Sequence, residues 1–233
     1  MRIALSRVAV AVVLALLSSA PAFAASSRDR EGAVESTEPV IRGRGGSWSV
    51  LDGRTVGTGQ DALHLEAGWP GLTVSYLHGM ADRVDLGLRL SLNYGYEGYP
   101  RLSGIPGLKL QGALKLGLFD SGKLGLALSF SPGLLYYASR GSTTVGFTLP
   151  VALGLNVAVA DALNVGAGLD VPLWITFGPF STVTVPLLFG VGLEYFIDRN
   201  IGLTFRTRIG PAINSSTGAE LTFISQVGIS VRL

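Results

Sequence analysis

The chain has 233 residues with 32 glycines, 48% hydrophobic residues, a formal charge of only +2 and no cysteine. That length suits one domain, and the missing cysteine excludes a disulfide framework, a thiolate metal site and a lipid-modified cysteine anchor. A mean hydropathy of +0.44 argues for a membrane protein, while the dispersed, acid-matched basic residues behind the pI of 9.0 give no nucleic-acid footprint.

Residues 1–24 read as a signal peptide. Arg2 and Arg7 form a basic leader, Val8 to Leu17 is an apolar core well short of the roughly 20 residues that span a bilayer, and Ala22-Phe23-Ala24 is a small-residue cleavage site. Residues 25–60 carry scattered charges among Ser and Gly with little to pack. They are expected to be either a flexible periplasmic lead-in or a partial plug entering through Trp48, Val50 and Leu51.

Residues 61–233 alternate apolar and polar at period two. In Val84-Asp85-Leu86-Gly87-Leu88-Arg89-Leu90-Ser91-Leu92-Asn93-Tyr94 the even positions are bulky and apolar, and the odd ones charged, small or polar. A strand of this kind has one face for lipid and one for water. The alternation predicts strands over 62–69, 72–78, 84–94, 108–118, 124–136, 143–159, 163–177, 182–196, 201–209 and 217–233. The expected fold is therefore all-β, an antiparallel transmembrane β-barrel of about ten strands with eight or twelve as alternatives, short periplasmic turns and longer outer loops. Aspartates mark the tight turns at 81–83, 119–123, 160–162 and 197–200, and the segment 95–107 is the longest outer loop. A polytopic helical protein is the rival, since 141–160 and 171–193 are uncharged and long. Their Gly, Val and Thr content, their alternation and Pro150, Pro172 and Pro186 argue against it.

Every charge inside these strands has lumen parity: Glu66, Asp85, Asp170, Glu194 and Glu220 against Arg89, Lys109, Lys115, Arg206, Arg208 and Arg232. In so narrow a bore they are expected to pair as a charge network, with lumen glycines such as Gly125, Gly154, Gly166, Gly168 and Gly192 leaving room for the long basic side chains. The outward positions, among them Leu86, Leu88, Leu110, Phe147, Phe189 and Val227, carry no charge. Trp69, Tyr94, Tyr96, Tyr99, Tyr136, Tyr137 and Phe177 are read as an outer interfacial girdle.

With this pattern the chain resembles the small outer-membrane β-barrel proteins of Gram-negative bacteria, a superfamily that includes barrels like outer membrane proteins A and W. The resemblance covers residues 62–233, and the last strand, Leu221 to Leu233, is similar to the C-terminal signal read by the barrel-assembly machinery, with Leu233 where Phe is usual. It implies the cell outer membrane as the location, and outer-membrane lipid and that machinery as partners.

Enzymatic chemistry has little to stand on. The histidines are His64 and His78, and no Gly-x-Ser-x-Gly or His-Glu-x-x-His motif occurs. A His64, Glu66 and Ser91 set is conceivable only on paper; a hydrogen-bonded lumen histidine is the plainer expectation. No catalytic residue, metal ligand or cofactor is expected. Pro150, Pro172 and Pro186, all on lumen parity in neighbouring strands, each remove a ladder donor. They mark either bulges near the rim or a lateral opening for a small apolar molecule, with Trp174 and Leu188 lining it. The leading expectation is a non-enzymatic barrel, structural or a narrow passive channel.

Overall fold

A strand with one apolar and one polar face leaves its backbone donors and acceptors to be met edge-on, and in hydrocarbon only a closed ring meets all of them. The computed structural model describes residues 48–97, 103–139, 141–178, 181–216 and 218–233. Its strands are β1 (Asp61–Trp69), β2 (Gly71–Ala81), β3 (Val84–Gly95), β4 (Ser103–Asp120), β5 (Leu124–Phe130), β6 (Gly133–Ser139), β7 (Ser142–Ala160), β8 (Leu163–Phe177), β9 (Thr182–Pro186), β10 (Leu188–Phe196), β11 (Ile201–Asn214) and β12 (Gly218–Arg232). All neighbours pair antiparallel, and β12 closes onto β1 with Ala62 opposite Arg232.

Two pairs of these segments are single staves of the wall. β5 and β6 both lie between β4 and β7, and the register does not slip across their junction: Leu114 faces Phe130 and Gln111 faces Gly133. β9 and β10 likewise lie between β8 and β11. The wall is therefore a ring of ten strands. The strands expected at 124–136 and 182–196 are each divided in two, because Pro132 and Pro186 lack the N–H that a continuous ladder needs.

Strands also run further than expected at the rim opposite the C-terminus. β4 starts at Ser103, opposite Gly95, so the loop read as 95–107 shrinks to 96–102. β11 continues through Pro211 to Asn214, and one residue, Pro70, joins β1 to β2. The uncharged stretches 141–160 and 171–193 are strands, and no helix among the described residues is long and apolar enough to cross a membrane.

The two faces differ as the alternation requires. Leu88 is 61% exposed and Val227 59%, both outside the ring, whereas Arg208 and Asp85 are fully buried inside it. An arginine at mid-bilayer on the outer face costs about 2–4 kcal/mol. Substituting Leu88→Arg is thus expected to impair folding into lipid bilayers, measured by the heat-modifiable gel shift, while Ser91→Ala, on the lumen face of the same strand, folds normally. Equal damage from both would remove the two-faced assignment.

Candidate functional site in the lumen

A peptide without regular structure enters the barrel at the rim that carries the C-terminus. Residues 48–60 form no strand, yet Trp48, Ser49 and Val56 are fully buried. Buried backbone groups need partners, and lumen charges supply them. The amides of Val50 and Leu51 donate to Glu194 Oε1 at 3.0 and 3.3 Å. The Val56 amide donates to Asp85 Oδ2 at 3.0 Å, and the Ser49 carbonyl accepts from Lys115 Nζ at 3.0 Å. Gly59 N–H donates to the Gly79 carbonyl at 2.7 Å, tying the segment to β2.

Its side chains are held as firmly. Arg208 Nη2 donates to both oxygens of Asp52, at 3.0 and 2.9 Å. Arg54 donates to the Gly122 carbonyl and lies 3.7 Å from Asp120. The Trp48 indole N–H donates to the Arg199 carbonyl at 3.1 Å; its ring meets Phe196 edge-on with centroids 5.3 Å apart and lies under the Arg232 guanidinium. Such mixed apolar and cation–π contacts seat one end of the segment.

The bore has space for this because its wall there is glycine. A Cβ at Gly154 would stand 2.8 Å from the Asp52 Cβ, and one at Gly168 would stand 2.5 Å from Arg208 Nη2. Gly53, at φ +71°, turns the segment where a Cβ would fall 2.5 Å from Asn156. Any side chain there meets both backbone strain and a collision.

At the other end of the lumen the chain after β3 turns inward. Glu97 pairs with Lys109 and accepts from Asn93 Nδ2 at 3.2 Å; Asn93 also donates to the Tyr137 hydroxyl at 2.8 Å, and Thr222 Oγ1 to the Glu97 carbonyl at 2.6 Å. Tyr96 packs on Tyr137 and Trp174, with centroids 4.7 and 6.4 Å away. Between this aromatic group and the segment lies a cavity of about 110 Å³, lined by Arg89, Lys109, Arg206, Asp170, Asp52, Glu97, Trp174 and several hydroxyl and amide side chains.

All of the charges assigned to the lumen lie on its side of the wall, but few pair as wall-to-wall ions. Arg206 Nη2 meets Glu66 at 3.2 Å, and Arg208 Nε lies 3.6 Å from Asp170. Asp85, Lys115 and Glu194 instead hold segment backbone. Lys109 binds a loop carboxylate. Arg232 sits over Trp48, Glu220 is half-buried opposite Ala212, and Arg89 donates to Ser75 Oγ at 3.2 Å. Alternation missed Asp52, Arg54 and Glu97, since it says nothing of residues outside strands.

Two of the expected girdle residues are turned inward. Tyr137 shares the lumen parity of Leu135, and Tyr96 follows the chain into the mouth; Trp69, Tyr94 and Tyr136 do face outward, and Tyr99 lies outside the described residues. His64 Nε2 lies 2.9 Å from Thr204 Oγ1, and Ser91 accepts from Thr73 instead of meeting a base.

Pro150 faces Pro172 within a β7–β8 pairing whose register holds from Val145 to Ala158. Between β8 and the next stave the ladder stops at Asp170 opposite Leu188 and resumes at Trp174 opposite Thr184, so Pro172 falls across from Pro186. On its other side Pro150 cannot return the hydrogen bond that Ser131 N–H gives its carbonyl, and Gln111 Nε2 reaches across to the Ser131 carbonyl at 3.0 Å instead. Pro150, Pro172 and Trp174 line the cavity, while Pro186 and Leu188 are buried beside it.

No family model matches this sequence, and no curated protein matches it. Among solved structures, an outer membrane channel from Pseudomonas putida F1 aligns over 80% of this chain and 100% of its own, at 11% identity and a TM-score of 0.44. The N-terminal β-barrel domain of Pseudomonas aeruginosa OprF covers 76% and 99%, at 12% identity and 0.35. The KdgM porin covers 74% and 98%, at 12% identity and 0.36. These are likenesses of fold alone; the closed ring and its apolar outer belt by themselves make this chain an antiparallel transmembrane β-barrel.

Proposed function

We propose that this protein is an integral barrel of the bacterial outer membrane whose charge-filled lumen is a narrow passage, closed at the periplasmic end by residues 48–60. The observation that carries this reading is the set of wall charges spent on the segment: Glu194, Asp85, Lys115 and Arg208 all bond to it. Each buried amide left without such a partner would cost about 1–3 kcal/mol, so the wall charges and the segment are matched to one another. The apolar belt supports a place in lipid, and the signal-peptide pattern at 1–24 supports export. The terminal strand supports delivery by the barrel-assembly machinery. A polar bore filled by its own side chains and by the segment supports a passive role over an enzymatic one.

Single-channel recording in planar bilayers tests it. The unmodified protein is expected to conduct weakly, and Gly53→Val, which forces the segment off Asn156 and leaves every wall charge in place, to conduct several-fold more. A large steady conductance in the unmodified protein, or no change in the variant, would refute the closure.

The interruption at Pro172 and Pro186 favours a second reading, passage of a small apolar molecule sideways through the wall. It has the cavity behind it, with Trp174 as an apolar lining residue. Replacing Pro150, Pro172 and Pro186 by alanine restores the ladder donors and is then expected to abolish uptake of an apolar dye by liposomes containing the barrel. Unchanged uptake would leave the prolines with no role beyond the local geometry of the wall.

A further inference from the structure

Charge compensation around the cavity is uneven. Lys109 is neutralised by Glu97, and Arg206 by Glu66. Arg89, which lines the same space, has no ion pair among the described residues; its recorded hydrogen bond, from Nε to Ser75 Oγ, uses only one of the guanidinium's N–H donors. The nearby acids are already committed. Glu66 serves Arg206, and Asp170 shares Arg208 with Asp52. A second donor is also idle, because Arg206 Nε is buried with no hydrogen-bond partner.

A guanidinium in the bore without an ion-pair partner of its own is costly, and so is an orphaned buried N–H. Both are relieved by an acceptor that carries negative charge. The cavity, at about 110 Å³, is several times the roughly 10–15 Å³ that one water needs. Its walls add the hydroxyl of Ser129 and the amide of Gln226, both able to donate to an oxygen-rich solute. We infer that this cavity is a binding site for a small oxyanion, a carboxylate or phosphate group, with Arg89 as its principal partner. A bare guanidinium would repel a cation and gains nothing from an apolar guest, so the chemistry selects sign as well as size. The inference deepens the reading of the lumen as a passage, but it depends on the cavity and not on conduction.

Equilibrium titration separates the two. The full chain, refolded in detergent at low salt, is titrated with inorganic phosphate and in a separate series with acetate. Saturable binding to the unmodified barrel is expected for at least one of them, and the stronger of the two identifies the headgroup class. Arg89→Gln removes a charge-assisted contact and is expected to weaken that binding by roughly tenfold or more. Arg83→Gln, in the exposed turn between β2 and β3, removes the same charge outside the cavity and is expected to leave it unchanged. Absence of saturable binding in the unmodified barrel overturns the inference without recourse to any variant, as does equal binding by Arg89→Gln or equal loss in Arg83→Gln. A large steady conductance in the unmodified barrel, or no gain in Gly53→Val, together with strong binding would leave the site standing and confine the failure to the channel reading.

Discussion

The structure turns on one requirement, that an irregular peptide inside a barrel must find hydrogen-bond partners for its backbone among the wall's side chains. A strand of the wall solves this by pairing with its neighbours; residues 48–56 pair with no strand and are mostly buried. Glu194 accepts from two consecutive amides and Asp85 from a third, while Lys115 donates to a carbonyl. A carboxylate suits that task because it offers several acceptor sites and no donor. Wall charges that would be expensive if left alone become the means by which a non-periodic chain is buried.

The same requirement accounts for the small residues of the bore. Long basic side chains and an extra strand of peptide need volume, and Gly154 and Gly168 supply it where Asp52 and Arg208 meet. Outside, the middle of the wall is largely apolar, and the lumen takes most of the charge that the strands carry, with Asp61 partly exposed and Asp120 exposed at strand ends. Proline is accommodated by local repair at one point, where Gln111 replaces the donor lost at Pro150, and by a break in the ladder at another, where Pro172 and Pro186 coincide.

Period-two alternation made the barrel, a strand number of about ten and the lumen parity of charges such as Asp85 and Arg208 legible in the sequence, because lipid on one side penalises any error of parity. Asp85, Arg89 and Glu194 were placed on the lumen side from their neighbours alone. What they touch was not legible. Asp52, Arg54 and Glu97 belong to segments with no periodicity, and nothing local says that Asp52 meets Arg208, 156 positions away in the chain. Trp48, Val50 and Leu51 do signal a packed segment, but a polar composition reads equally as a solvated leader. Tyr137 was misplaced in the girdle although its parity with Leu135 pointed inward; an aromatic near a strand end fits either environment, and only the neighbouring Tyr96 and Asn93 decide it.

The central claim is that residues 48–56 lie within the bore, against the glycine-lined wall. The absence of native cysteine allows a direct measurement. A Cβ at Gly166 would stand 3.4 Å from the Asp52 Cβ, close to the roughly 3.5–4.5 Å span of a disulfide. The double variant Asp52→Cys with Gly166→Cys should therefore crosslink on mild oxidation of the folded barrel, seen as a shift in non-reducing gel mobility, whereas Asp52→Cys with Leu88→Cys on the outer face should not. Failure of the first pair to crosslink in folded protein, or equal crosslinking of both, would contradict the account.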